Sequence, residues 1–599
     1  MVAAACIAGL AAGGAARLVD GSRAANAVWA VVATVVLIPL SWSVLRSLVR
    51  GRFGVDVIAL ISIGGALALG EYLAASVIAV MLAGGNALEE RARARARREL
   101  TSLVSRAPRT ATLVHDGELE EVPVDDVVPG DVVFVRAGGV LPVDGLLESD
   151  EALIDESSLT GESLPVAYRP GETLRSGTVT SAPLRLRALR KASESAYAAL
   201  VRLVRDAEEQ RAPFVRLADR YAVVFLPVTA TVAGLAWAVS GDPVRALAVF
   251  VVATPCPLIL AAPIALLSGV SRAARAGIVV KGGTVIERLG EARTVLLDKT
   301  GTITLGTPEL ARTDPLDGYT GDDAIRLAAS LDQLSLHPFA RALVREARAR
   351  NLHLTFPETS IEHPGRGIEG TIGGHRVVVG SDSLLRTLGY TPTTPGPVKG
   401  EDTARAFLGV DGVTVATLEF ADPPRREALD IVARLHSHGV VHVALLTGDR
   451  ASIAEAIGSQ LDVDRVYAEQ SPQDKLDVVR VVSATPGMGP VVMVGDGIND
   501  APALALADVG IAMGSVGSTA SSETADAVVL VDRVDRVVDA IAIGRRSLGL
   551  ARQSVIVGMG LSFAGMIAAS FGLLEPVAGA LLQEAIDVAV IANALRALR

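Results

Sequence analysis

The sequence predicts a multidomain α-helical membrane protein of eight transmembrane helices, with one β-rich and one α/β soluble segment set between them. Three observations carry this reading. Mean hydropathy is +0.43. Half the residues are hydrophobic (50%) yet 20% are charged, so apolar and polar regions must separate along the chain. Eight stretches approach the roughly 20 apolar residues that a bilayer core requires: 2–19, 25–45, 55–70, 72–88, 221–240, 244–270, 553–573 and 576–595. Two charged regions, about 101–215 and 275–545, separate them four, two and two.

The first apolar stretch is rich in Ala and Gly and has no basic residues ahead of it, unlike a secretory leader. Arg46, Arg50 and Arg52 follow the second, and EERARARARREL (89–100) follows the fourth. Arg272, Arg275 and Lys281 follow the sixth. Arg545, Arg546 and Arg552 precede the seventh, and Arg596 and Arg599 follow the eighth. With eight spans all of these fall on one side, which is then cytoplasmic; Arg17 and Arg23 fall on the other. Both large soluble regions are therefore expected in the cytoplasm, on a multi-pass protein of the plasma or inner membrane. A net charge of -10 argues against a nucleic-acid partner bound through its phosphates. Two cysteines, Cys6 and Cys256, make no disulfide framework, and there is no CxxC or His-rich tract.

The first soluble region reads as short strands. TATLVHDGELEEVPVDDVVPGDVVFVRAGGVLPVDG is β-rich, with turns at Asp116-Gly117, Pro129-Gly130 and Gly138-Gly139. It runs into a polar loop, DESSLTGESLP (155–165). The second region opens with TVLLDKTGTIT (294–304), a buried-type strand that stops abruptly at Asp298. A carboxylate at the C-terminal tip of a parallel strand sits where α/β sheets place their chemistry. HVALLTGDR (442–450) and VVMVGDGIND (491–500) are two more strands with polar tips, and SPQDK (471–475) puts Lys475 in a loop or at a helix start. Strands ending at Asp298, Thr447 and Asp496 can converge at one sheet edge. That edge would offer carboxylates for Mg²⁺, a lysine for phosphate charge and an aspartate free to attack phosphorus. Capped strand ends of an ordinary Rossmann-like domain account for any one of these motifs, but not for all of them in this order.

TGES, DKTGT, TGD and GDGIND in that order resemble the P-type ATPases, and the resemblance covers essentially the whole chain. It implies a β-rich actuator domain at 101–205, an α/β haloacid-dehalogenase-like phosphorylation domain at 275–312 and 419–540, and an α+β nucleotide-binding domain at 313–418. Helices one to four would occupy 1–100, five and six 206–274, and seven and eight 541–599. It implies that Asp298 takes the γ-phosphate of ATP. Asp298, the Thr300 carbonyl and Asp496 would bind Mg²⁺, and Thr447 and Lys475 would hold the phosphoryl group. Asn499 and Asp500 would support the metal and hinge region. Gly161 and Glu162 of TGES would act at the aspartyl phosphate, Glu162 positioning the hydrolytic water.

LDQLSLHPFA (331–340) and GRGIEG (365–370), between DKTGT and TGD, resemble the nucleotide domain of heavy-metal-transporting (type IB) P-type ATPases. By that resemblance His337, Asp332, Gly365, Gly367, Gly380 and Asp449 would serve ATP, His337 at the adenine end, with glycines letting the nucleotide approach the backbone. Asp332 stands where the family usually has Glu, and Ser381 where it often has Asn. Type IB members carry two spans before the common six and two after the phosphorylation domain, the four-two-two pattern of this chain.

The sixth stretch contains VVATPCPLIL (251–260), a lone cysteine between Pro255 and Pro257. Proline breaks a helix, so carbonyls and the Cys256 thiolate, a soft metal ligand, can face a cavity. A buried cysteine acting as a small hydrophobe is the plainer alternative. The last stretch contains LLQEAIDVAVIANAL (581–595), with Glu584 and Asp587 three apart on one helical face. A carboxylate at membrane depth costs about 2.5–3.5 kcal/mol, so two of them imply a function. TPCP with QExxD resembles the subgroup linked to nickel and iron export, with Cys256, Gln583, Glu584 and Asp587 around the transported ion. One sulfur with two carboxylates suits Ni²⁺, Co²⁺, Fe²⁺ or Zn²⁺, leaves Mn²⁺ open and disfavours Cu⁺.

The expected activity is ATP-driven export of a divalent transition metal through an aspartyl phosphate, by a chain expected to be monomeric. ATP, Mg²⁺, the metal ion and the lipid bilayer are its expected cofactors and partners, and a cytoplasmic metal donor is a further candidate. The alternatives are the catalytic subunit of a potassium pump of the same superfamily, or a membrane-tethered phosphatase of the same fold.

Overall fold

The apolar stretches fold as helices. The computed structural model describes residues 2–19, 21–49, 56–105, 108, 110–115, 118–155, 166–195, 198, 213–253, 256–306, 308–316, 318–335, 337–363, 365–390, 404–496, 500–513 and 524–598. Two compact units divide the chain. One comprises Met1–Ala292, Val516–Val531 and Asp539–Arg599, the other Arg293–Ser515 and Asp532–Val538.

Among the described residues, the helices of the first unit include Val2–Val19, Ser22–Val49, Asp56–Ala68, Tyr72–Ser105, Pro213–Ser240, Pro243–Val252, Cys256–Arg275, Gly283–Glu291, most of Arg536–Ser570, and Pro576–Ala594. Four are long and apolar enough to cross a membrane, over Ser22–Arg46, Tyr72–Ala92, Arg536–Ser570 and Pro576–Leu598. Ala3–Val19, Val57–Ala68, Phe225–Ser240 and Pro243–Val252 are shorter apolar helices. Large apolar side chains such as Ile38, Trp42, Ile556 and Phe563 are exposed on them, an arrangement that a lipid environment favours and water penalises. Cys6 is buried among Ala33, Val36, Ile63 and Ile78, where it packs as a small hydrophobe. The predicted sixth span is not one helix. It ends at Val252 and restarts at Cys256, and Thr254 and Pro255 lie outside the described residues, as does the Cys256 side chain.

The β-rich region forms a six-stranded antiparallel sheet in the order 118–123, 110–115, 132–135, 184–188, 145–147 and 173–174, beside a three-stranded one. Alternating inward residues, among them Leu113, Val133, Val135, Leu184 and Leu186, make its core. Residues 156–165, which include Gly161 and Glu162, lie outside the described residues.

In the second unit Thr294–Asp298 is the central strand. It pairs in parallel with His442–Leu446 on one side and Val491–Gly495 on the other, and Arg465–Tyr467 and Val509–Met513 extend the sheet. All five residues of the central strand are buried, the uninterrupted apolar run of a sheet covered on both faces. Between this strand and its neighbour at 442–446 the chain makes a separate six-stranded antiparallel sheet, ordered 309–315, 413–421, 404–410, 375–380, 367–372 and 359–363. Helices Gly321–Asp332 and Pro338–Ala349 pack on it through Ile325, Leu331, Leu343, Leu408 and Phe420.

Candidate active site, nucleotide pocket and membrane site

Asp298, Thr447 and Asp496 stand at one edge of the parallel sheet because each ends, or immediately follows, one of three adjacent strands in register. Helix Pro472–Ala484 delivers Lys475 to the same edge. Its start is fixed by a capping box in which Ser471 and Asp474 satisfy each other's backbone amides. Lys475 Nζ donates to Asp298 Oδ1 at 2.5 Å and to Asp500 Oδ1 at 2.8 Å. All three side chains are buried. Burial, and next the Asp500 charge, push the Asp298 carboxyl up to about 7, against the pull of Lys475. Burial works against the Lys475 ammonium, and the Asp298 and Asp500 carboxylates outweigh it, so its pKa is raised.

The turn after Asp298 is tight. Gly301 adopts φ 71°, a left-handed conformation that costs glycine nothing. A Cβ there would lie 3.1 Å from Asp496 Oδ2, so the turn lies against that carboxylate. Lys299 pairs with Asp449 at 2.7 Å and approaches Asp422 at 3.6 Å. Asp449 thus lies at this edge, and it is not among the residues that line the cavity of the inserted domain. The Asp449 amide donates to Thr447 Oγ1 at 3.1 Å, which fixes the hydroxyl. Asn499 lies outside the described residues. Three carboxylates, Asp298, Asp496 and Asp500, gather here, the first and last of them bonded to Lys475. That excess of hard oxygen donors fits Mg²⁺, which takes carboxylates and phosphate oxygens. Asp298 and Asp496, with the Thr300 carbonyl in the turn that follows Asp298, would hold it.

A second site lies in the inserted domain. A cavity of about 220 Å³ is lined by Asp332, Ser335, His337, Gly365, Gly367, Gly380 and Ser381, with Phe339 and Arg405 among its other walls. His337 caps helix Pro338–Ala349. The Phe339 amide donates to His337 Nδ1 at 3.2 Å, so the neutral ring carries its proton on Nε2 as a donor. Phe339 stacks on Phe420 at 4.4 Å, which anchors that wall to the core. Phe339 and Arg405 were not singled out in the sequence. An aromatic directly after the His-Pro pair was the available signal for the first; Arg405 carried none.

Two of the predicted glycines have a second reason besides the one expected. A Cβ on Gly367 would meet Val379 O at 2.2 Å, and one on Gly380 would meet Arg366 O at 2.5 Å. Close strand-to-strand approach excludes side chains there whatever the cavity holds. Gly365 alone has open space around it, with φ 69°. The Ser381 hydroxyl accepts from Leu384 N as a helix cap.

Asp332 is buried, and burial, followed by the nearby Glu362 charge, raises its carboxyl from 3.8 to about 8. At neutral pH it is a carboxylic acid that keeps an O–H donor. Between about pH 4 and 8 the folded chain holds a proton here that the unfolded chain releases. Stability from this group therefore falls as pH rises across that window. Asp332→Asn should abolish that fall, giving a flatter melting-temperature profile from pH 5 to 8 in thermal denaturation of the intact chain. Parallel profiles for the two proteins would count against a neutral Asp332.

The third site is in the first unit, between the last two helices. Ser562 Oγ donates to Gln583 Oε1 at 3.0 Å, and Gln583 Nε2 donates to Asp587 Oδ1 at 3.0 Å. All three residues are buried. Helical spacing of four puts Gln583 and Asp587 on one face, and these two side chains hydrogen-bond each other. Glu584 is only half-buried. Ser562 was missed because a lone serine in an apolar helix commonly bonds its own backbone. The neighbouring helix end is held close, since Gly565 and Gly579 both pack against Val252.

Residues 105–205 match the actuator domain of P-type ATPases, and residues 292–508 match the haloacid dehalogenase-like hydrolases. The chain is 38% identical over 539 residues to a probable copper-exporting P-type ATPase V of Mycobacterium tuberculosis, across 87% of this chain and 69% of that protein. It is 34% identical over 574 residues to a zinc/cadmium/lead-transporting P-type ATPase of Escherichia coli, across 94% of this chain and 78% of the relative. This chain belongs to the heavy-metal-transporting type IB P-type ATPases. The crystal structure of a zinc-transporting PIB-type ATPase in its E2.Pi state matches with a TM-score of 0.67 and 30% identity, covering 100% of this chain and 99% of that one. As a type IB P-type ATPase the protein couples ATP to heavy-metal transport and is a multi-pass membrane protein with cytoplasmic domains.

Proposed function

We propose that this ATPase exports a divalent transition metal from the cytoplasm through eight membrane spans and a phosphorylated Asp298. The observation that carries the choice of ion is the buried Ser562–Gln583–Asp587 chain, which offers oxygen donors and one negative charge. With the Cys256 thiolate at the restart of the broken helix, that set suits a borderline dication. It offers Cu⁺ too little sulfur. TPCP with QExxD supports the nickel- and iron-linked subgroup, while relatives named for zinc support Zn²⁺. We place Zn²⁺, Ni²⁺, Co²⁺ and Fe²⁺ ahead of Cu⁺.

In this reading Asp298 attacks the γ-phosphorus of ATP through a carboxylate oxygen. The bond to the β,γ-bridging oxygen breaks and ADP leaves. Lys475 and Thr447 hold the phosphoryl oxygens, Lys475 being already seated on Asp298. Mg²⁺, when bound, would supply charge neutralisation on the transferring phosphoryl group. Glu162 positions the water that later attacks the same phosphorus, freeing phosphate and restoring Asp298. In the cavity of the inserted domain His337 Nε2–H and the Asp332 acid present donors to the nucleobase.

The test is ATPase activity of the purified full-length chain across Zn²⁺, Ni²⁺, Co²⁺, Fe²⁺, Mn²⁺ and Cu⁺, with Cys256→Ala alongside. A divalent ion should stimulate the wild type and fail on the variant. Strongest stimulation by Cu⁺, or a variant that responds normally, would sink the divalent reading.

A further inference from the structure

Arg425 lies outside all three sites, yet its guanidinium is 4% exposed. It sits just beyond the Val413–Ala421 strand, where the chain leaves the inserted sheet. Its Nε donates to Thr304 O at 3.3 Å and its Nη2 reaches Gly301 O at 3.5 Å. Its Nη1 donates to Asp532 O at 2.8 Å, and Nη2 also meets Asp532 Oδ1 at 2.6 Å. The Arg425 amide donates to Ile303 O at 2.9 Å. Thr304 and Pro424 form an isolated bridge.

Three of these bonds, two from the fork and one from the Arg425 amide, fall on one object, the turn Lys299–Thr304 that follows Asp298. Inside that turn, Thr304 closes back only onto Lys299 O, through its amide at 3.0 Å and its hydroxyl at 3.2 Å. The next carbonyls, Gly301, Ile303 and Thr304, take their donors from Arg425. Buried carbonyls need such partners, and a flat five-donor fork supplies several at once where an ammonium cannot. Asp532, the remaining partner, stands four residues before helix Arg536–Ser570. One side chain therefore ties the turn, the exit of the inserted sheet and the approach to the seventh apolar stretch.

We infer that Arg425 is a positioning residue for phosphoryl transfer: its fork sets the turn that aims Asp298 and the Thr300 carbonyl. The inference rests on the reading of Asp298 as the phosphorylated group. A displaced turn leaves ATP held by the separate cavity around His337 but misplaces the nucleophile. Misplacement on the ångström scale costs on the order of 10²-fold in rate.

The experiment is acid-quenched phosphorylation of the full-length protein by radiolabelled ATP, with nucleotide affinity measured separately by equilibrium binding. Arg425→Ala should slow phosphoenzyme formation at saturating ATP by roughly 10- to 100-fold, with affinity changed less than about twofold. Added guanidinium should restore much of the rate to Arg425→Ala, and Arg425→Lys should stay slow. Asp532→Asn, at a half-exposed carboxylate, is the milder variant should Arg425→Ala fail to fold, and it should slow the step several-fold. Wild-type rates in a folded variant would overturn the inference, as would equal loss of affinity and rate without rescue by guanidinium. A wild type that takes no label would instead overturn the reading of Asp298.

Discussion

Asp298→Asn should form no phosphoenzyme from ATP and should lose metal-stimulated turnover by a factor of at least about 10⁴, the scale seen when a covalent nucleophile is removed. The substitution keeps the shape of the side chain but not the attacking oxygen anion. Its effect should be confined to chemistry, because the surroundings can absorb it. Lys475 keeps its 2.8 Å bond to Asp500. The cluster also loses one of the carboxylates whose mutual repulsion, with burial, raises Asp298 to about 7. The variant should therefore melt no lower than wild type. The contrast is Lys475→Met, which strands Asp298 and Asp500 together in a buried site. Breaking a buried pair in this way costs about 3–5 kcal/mol. Acid-quenched labelling and thermal melts of the three proteins decide the matter. Label retained by Asp298→Asn would move the phosphorylated group elsewhere.

Asp587→Asn should abolish stimulation by the transported ion while leaving phosphorylation of Asp298 by inorganic phosphate in metal-free buffer. The asparagine can still accept from Gln583 Nε2, so the 3.0 Å contact and the helix packing survive. What goes is the one formal charge of the buried chain. Loss of a supporting group around a metal typically costs 10–100-fold in affinity, and loss of a charged ligand is expected to exceed about 100-fold. Ser562→Ala should cost less, about tenfold, because it removes only the hydrogen bond that sets the Gln583 amide. Metal titrations of ATPase activity order the variants. Equal metal responses in Asp587→Asn and wild type would take this chain out of the ion path.

The sheet edge that gathers the candidate catalytic residues was legible from strand tips. A buried run that stops at a polar residue declares both the sheet and its working edge, and three such runs end at Asp298, Thr447 and Asp496. The buried Ser562–Gln583–Asp587 chain was only half legible. Gln583 and Asp587 are visible as costly polar residues in an apolar helix, but their partner Ser562 comes from a different helix. Sequence spacing also favoured Glu584 over Gln583, because a charge attracts notice that an amide does not. Gly367 and Gly380 carry two constraints at once: both line the cavity, and neighbouring strands exclude a side chain there in any case, which the sequence alone did not show. Arg425 gave no signal, since arginine is normally exposed and its carbonyl partners have no side-chain signature.

The insertion of the six-stranded sheet between Thr294–Asp298 and His442–Leu446 has a consequence for how the chain is made. The central strand of the parallel sheet is synthesised first, and both of its neighbours come only after the whole inserted domain. Pairings so distant in sequence are slow to close. On the ribosome the inserted sheet, whose strands are mostly local to one another, has time to fold while Thr294–Asp298 waits unpaired. Assembly of the phosphorylation edge is then timed by the arrival of Val491–Gly495, shortly before the last two apolar helices emerge. A nascent pump would acquire its reactive aspartate and its final membrane segments almost together, leaving little interval in which ATP could be cleaved by a chain with no complete route for its ion.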